Sequence, residues 1–248
     1  MDDFPTESEI SSPDENCAPR GVGSSIITVL VGEKQQPISV HEELLLGDGD
    51  FFKAALSHDW KEKRDRTIAL PDHHPAIFTI YAKWLYSGQI CVIDKQEETK
   101  ATAPGLSWDS IAEWVALKQS YILSDYLQSM DYRDAVLDAV VEMMIERNEF
   151  PGAIIEMIYS HTTDNPPHRK VVHEAMLYTW TTEQYQQLGG LDLSKEDILD
   201  SLIVIATRPK RNYMYHDSVQ EAFRYQDPCV YHEHTLSGAA CYKAKYNR

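Results

Sequence analysis

Residues 26–32 read Ile26-Ile27-Thr28-Val29-Leu30-Val31-Gly32, a largely β-branched apolar run closed by glycine, which is the pattern of a buried strand. Working outward, polar Glu33 to Gln36 turn the chain into a second short strand, Pro37 to Val40. His41 to Leu46 fits a turn or two of helix, closed by Gly47. Asp50 is a candidate N-cap for a helix to Ser57 that offers Phe51, Phe52, Ala55 and Leu56 to a core. Thr67 to Leu70 reads as a third strand. Pro75 stands where a first helical residue tolerates proline, and Ile77, Phe78, Tyr81, Trp84 and Leu85 make one helical stripe before Gly88 stops it. Strand, strand, helix pair, strand and helix within residues 24–90 predict an α+β unit, a small sheet covered by helices.

Composition bounds the rest. The 248 residues carry 39 acidic and 23 basic side chains, a formal charge of −16. Such a surface repels phosphate backbones, so general nucleic-acid binding is disfavoured. The four cysteines, at 17, 91, 229 and 241, are too scattered for a secreted disulfide scaffold. The opening Met-Asp-Asp lacks a basic and then apolar region, so no secretory signal is expected. No apolar run reaches the length of a membrane span. These features predict an intracellular protein of the cytoplasm, the nucleus or both.

The order of motifs in residues 24–90 resembles the BTB/POZ domain. The matching residues are Val29-Leu30-Val31-Gly32, Val40-His41 with Leu44-Leu45, Phe51-Phe52, Ala55-Leu56, Ile68-Ala69-Leu70-Pro71-Asp72, Pro75 with Phe78, and Trp84-Leu85-Tyr86-Ser87-Gly88 before Ile90. The resemblance extends loosely to Arg147, and it implies a non-catalytic adaptor that binds other proteins. In relatives that recruit a cullin scaffold, a loop after the second helix carries a hydrophobic residue, any residue and Glu; Trp60-Lys61-Glu62 is similar. Trp60 would be an apolar anchor and Glu62 a charged hydrogen-bonding neighbour, making the chain a substrate receptor for a ubiquitin ligase. The alternative is that Trp60 tucks under its own domain. Many relatives also exchange an amphipathic first helix and carry a charged pair at the positions of Ser25 and Glu42. Pro5, Pro13 and Pro19 interrupt the only region available for that helix, so the family's homodimer is not expected here.

Four regions follow. Residues 1–23, rich in Ser, Pro, Glu and Asp, predict a disordered acidic tail. Residues 24–147 form the BTB-like domain. Residues 148–207 predict helices at Gly152 to Ser160, at Val171 to Thr181, and from Ser194 with Ile198, Leu199, Leu202, Ile203 and Ala206. They resemble the helical extension of fungal members of the family. Residues 208–248 form a tail of different character. Within the second region, Cys91 to Gly105 reads as a surface loop. Trp108 to Leu123 is a helix apolar on two sides and so buried: Trp108, Ile111 and Val115, then Trp114, Leu117 and Tyr121.

Asp131 to Arg147 is the plainest helix of all. Val136, Leu137, Val140, Val141 and Met144 line its core face, while Asp134, Asp138, Glu142 and Glu146 stack as an acidic ridge. Like charges at that spacing cost a few tenths of a kcal/mol per pair. A solvated face is the commoner cause of such a ridge, and a basic partner is the other.

The tail has seven basic and four acidic residues and six of the fourteen tyrosines. Cys229, His232, His234 and Cys241 form C-x2-H-x-H-x6-C, with Gly238 free to turn the chain back. Thiolates and imidazoles suit tetrahedral zinc, although the spacing is that of no standard finger. The segment is either a structural zinc site or a disordered tail. Its basic residues admit a second functional reading, a transcription- or chromatin-associated regulator. No phosphate-binding glycine loop, G-x-S-x-G or H-E-x-x-H motif is present, and the histidines at 73 and 74 read as turn and capping residues, so no enzymatic activity is expected.

Overall fold

Strand β1 (Ile26–Val31) alternates as a half-covered strand should: Ile27, Val29 and Val31 are buried, while Ile26 stands half exposed. It sits in the middle of a three-stranded sheet. Strand β2 (Gln36–His41) pairs with it antiparallel, Ile26 opposite His41 and Val31 opposite Gln36. Strand β3 (Thr67–Leu70) lies on its other side in parallel, Thr28 beside Thr67 and Val31 beside Leu70. A parallel partner needs a crossover, and two short helices in the intervening chain, α1 (Glu42–Gly47) and α2 (Asp50–Ser57), belong to it. The structure is a computed structural model that describes residues 23–57, 65–92, 111–162, 166–186, 188–191, 194–207, 219–223 and 227–246. The acidic N-terminal stretch, the loop with Trp60 and Glu62, and the polar run after Val92, with Trp108, lie outside the described residues.

Helix α3 (Pro75–Ser87) shows how local signals set the element. Pro75 occupies the first turn, and His74 caps it, its Nδ1 accepting from the Ala76 amide at 3.2 Å. Gly88 ends it in the left-handed region at φ 65°, its amide donating to the Trp84 carbonyl at 2.7 Å. A Cβ at Gly88 would lie 2.4 Å from the Tyr246 ring, so glycine is required there twice over. Phe78, Tyr81, Trp84 and Leu85 bury the stripe.

Helix α4 (Ala112–Tyr126) corrects one expectation. It is not apolar all round: Trp114, Leu117 and Tyr121 are buried, but Val115 is 42% exposed. Its buried face is completed by Ser120 and Ser124, whose small side chains let α5 (Met130–Arg147) lie close alongside. Ser124 also donates to the Tyr121 carbonyl at 2.6 Å, and Ser129 caps α5 by accepting from Tyr132 N at 3.2 Å. On α5, Val136, Leu137, Val140 and Met144 are buried as their spacing predicts, and Val141 is partly so.

The helical second half packs on this pair. It comprises α6 (Gly152–Ser160), α7 (Pro167–Thr179), α8 (Thr182–Gln186) and α9 (Lys195–Thr207). Helix α9 corrects a second expectation, because Leu199, Leu202 and Ile203 are exposed at 57%, 39% and 49%. Polar groups take part in its docking. Ser201 is buried and bonded to the Tyr159 hydroxyl, and Asp197 meets Arg169 at 3.4 Å. Leu199, Leu202 and Ile203 are left facing solvent. No described helix is long and apolar enough to cross a membrane.

Beyond α9 lie α10 (Val219–Phe223) and a folded end. The end has a 3-10 turn at Pro228–Tyr231 and two single turns, α11 (His234–Ser237) and α12 (Tyr242–Lys245). One apolar cluster runs from Ile27 in β1 to Tyr242 at this end.

Candidate metal centre

The terminal segment is built so that its chemistry converges. Asp227 caps the 3-10 turn, accepting from Cys229 N at 3.0 Å, and three residues of that turn bring Cys229 and His232 together. Gly238, left-handed at φ 69°, ends α11 and reverses the chain so that Cys241 returns to the same place. One donor atom from each of Cys229, His232, His234 and Cys241 lies within 4.8 Å of the others. A tetrahedral ion with metal–sulfur and metal–nitrogen bonds of ordinary length needs donor separations of about 3.3–3.8 Å. Cys241 Sγ and His232 Nδ1 already stand 3.6 Å apart.

The ring nitrogens fit the same arrangement. His232 Nε2 lies 2.9 Å from Asp138 Oδ1, and because a carboxylate accepts, this nitrogen carries the hydrogen and Nδ1 keeps its lone pair toward Cys241. His234 is 8% exposed, and its buried Nε2 has no hydrogen-bond partner among the described residues. An orphaned buried nitrogen costs stability unless something binds it. Partial burial and the adjoining Cys241 thiol push Cys229 up to about 12, so without a metal it holds its proton. A metal must displace that proton to bind.

No protein-family model matches the chain, and no curated protein matches it. The reading of the centre therefore stands on its own residues.

The acidic ridge is where the sequence reading needs correction. Asp134 is fully buried and Asp138 nearly so, while Glu142 and Glu146 alone remain exposed. The ridge faces the chain's own end. Asp134 accepts from the amides of Glu233 at 2.8 Å and His234 at 3.4 Å, and from His168 Nε2 at 2.9 Å. The Tyr121 hydroxyl donates to His168 Nδ1 at 2.7 Å, completing a buried Tyr–His–Asp line. One turn along, Asp138 accepts from His232, from the Tyr242 hydroxyl at 2.6 Å and from Lys243 at 2.7 Å. Burial would raise Asp138, but the bonds from His232, Lys243 and Tyr242 outweigh it and hold the carboxyl below its usual range.

Further contacts tie down both flanks. Lys245 pairs with Asp131, Arg133 reaches Glu233 at 3.3 Å, Tyr231 donates to Glu174, and Lys170 reaches the Val230 carbonyl at 3.4 Å. At the far end the Tyr246 ring rests 5.7 Å from that of Trp84, and its hydroxyl donates to the Leu85 carbonyl at 3.2 Å.

The four residues singled out by spacing are thus brought together. Trp60 and Glu62 lie outside the described residues. Asp134, Asp138 and Tyr242 were missed as parts of the site. For the two aspartates the sequence signal is the acid at every fourth position of a helix, a repeat that is unfavourable until a cationic or hydrogen-bonding partner faces it; Tyr242 carries no such signal.

Proposed function

We propose that the chain is a non-catalytic protein–protein interaction adaptor of BTB/POZ type. The observation that carries this reading is the sheet order β2-β1-β3, an antiparallel hairpin followed by a parallel third strand, with the motif residues Val29, Val31, Val40, Leu45, Phe52, Ile68, Leu70, Phe78, Trp84 and Leu85 all buried. These motif residues lie in the core of the small α+β sheet unit, which supports the reading. The partner under this reading is a protein, and a cullin scaffold is the specific expectation, with Trp60 the anchor and Glu62 its polar neighbour. Trp60→Ala combined with Glu62→Ala should abolish co-purification of a cullin while leaving the thermal melt within a few degrees. Retained binding by a folded double mutant would sink the motif.

The second reading, a transcription- or chromatin-associated regulator, would draw on the tail's basic residues. Lys243 and Lys245, two of the tail's basic residues, face Asp138 and Asp131. Both lysines stay partly exposed, at 31% and 40%, and the tail's five other basic residues lie outside the described residues.

The terminal segment is read as a structural zinc site. Two thiolates and two imidazoles fill all four positions of tetrahedral zinc, which leaves no open position for catalysis. When bound, the ion would supply cross-linking of residues 229–241 and an electrostatic sink for two thiolates. The purified protein should hold about one equivalent of zinc, as one four-ligand site allows. Chelation should make residues 227–246 protease-sensitive before the sheet melts. Cys229→Ser with Cys241→Ser should lose the metal, and Cys91→Ser should keep it. A metal-free preparation never exposed to chelator would overturn the zinc reading.

A further inference from the structure

We infer that Asp138 is a positioning residue that selects which nitrogen of each histidine takes the metal, so that His232 ligates through Nδ1 and His234 through Nε2. This rests on the zinc reading above and adds an element of the site that no motif spacing contains. An imidazole offers either nitrogen, and the one left for a metal is set by what the other binds. Here His232 Nε2 is committed to Asp138 at 2.9 Å, while Nδ1 faces Cys241 Sγ at 3.6 Å. The orphaned atom of His234 is Nε2. The two rings lie 5.4 Å apart at 67°, close to perpendicular, so opposite nitrogens of the two rings can meet at one point.

The helix behind them makes the arrangement rigid. Asp134 holds the backbone of Glu233 and His234, and Asp138, one turn on, holds the ring of His232. Backbone and side chain of one tail turn are thus fixed to two successive turns of α5. Charge closes as well: a divalent ion with two thiolates and two neutral imidazoles is neutral, and Lys243 at 2.7 Å balances Asp138. Substituting a carboxylate behind a metal-bound histidine typically weakens metal binding 10- to 100-fold. Asparagine at 138 keeps the shape but can donate to Nε2, which frees the wrong tautomer.

The test uses the full chain with cobalt as probe. Wild type and Asp138→Asn are titrated against a chromophoric chelator, and the d–d spectrum is recorded. The expected result is a loss of about 10- to 100-fold in affinity with the tetrahedral two-sulfur, two-nitrogen spectrum kept, whereas Tyr242→Phe and Lys243→Met lose well under tenfold. Equal affinity in Asp138→Asn overturns the proposal while leaving the metal site standing. An equal loss in Tyr242→Phe or Lys243→Met also overturns it, because Asp138 would then act only by anchoring the tail. Wild type that takes up no cobalt overturns both readings. Nitrogen-15 chemical shifts of the zinc-loaded wild type give a measurement that needs no mutant: protonated Nε2 and metal-bound Nδ1 on His232 are expected, and metal on Nε2 of His232 refutes the inference.

Discussion

Asp134→Ala should destabilise the protein by about 3–5 kcal/mol, the range for removing one partner from a buried charged network. The substitution strands three donors at once, His168 Nε2 and the amides of Glu233 and His234, in a place with no solvent to replace the carboxylate. Denaturant melts monitored at tyrosine and tryptophan read the loss, and limited proteolysis should show residues 227–246 released first. Glu146→Ala, on the same ridge but exposed, should stay within about 0.5 kcal/mol of wild type. If the two variants behave alike, the ridge is a solvated face after all and the terminal segment does not dock on it.

Trp84→Ala should cost a similar amount, about 3–5 kcal/mol, through lost burial and an unfilled cavity. Trp84 is 1% exposed, with ring centroids of Tyr132 at 5.0 Å, Tyr246 at 5.7 Å and Tyr81 at 6.0 Å around it. It therefore belongs to α3, α5 and the terminal segment together. The informative observable is cooperativity. One sharp transition at lower denaturant means the opening sheet unit and the terminal segment unfold together. A new early phase confined to the terminal segment, with the sheet unit unchanged, would show that Trp84 matters only as a seat for Tyr246.

Much of the opening unit was legible because its signals are local. The alternation in β1, Pro75 beginning α3 and Gly88 ending it are each decided within a few residues, and their predicted positions agree with the structure. The four candidate metal ligands were legible for a similar reason, since unusual residue types cluster within one short segment. What was not legible depends on distant chain. Ser120 and Ser124 line a buried face because α5 comes close, while Leu199, Leu202 and Ile203 of α9 are exposed on a helix whose Ser201 is buried and whose Asp197 meets Arg169. Asp134 and Asp138 look like any surface acids until residues roughly a hundred positions later are set against them. Composition records which groups are present, and only the fold records which of them meet.

That separation has a consequence for how the chain is made. Asp134 leaves the ribosome 34 residues before His168, its buried partner, and 99 residues before the Glu233 amide it finally holds. Contacts so far apart in sequence form late, because loop closure comes before any gain from them. Until residues 168–243 are made, the partners of Asp134 and Asp138 do not exist, and water is what those carboxylates have to bind. Asp134 and Asp138 thus pass from hydrated charges on the incomplete chain to a lock in the finished one.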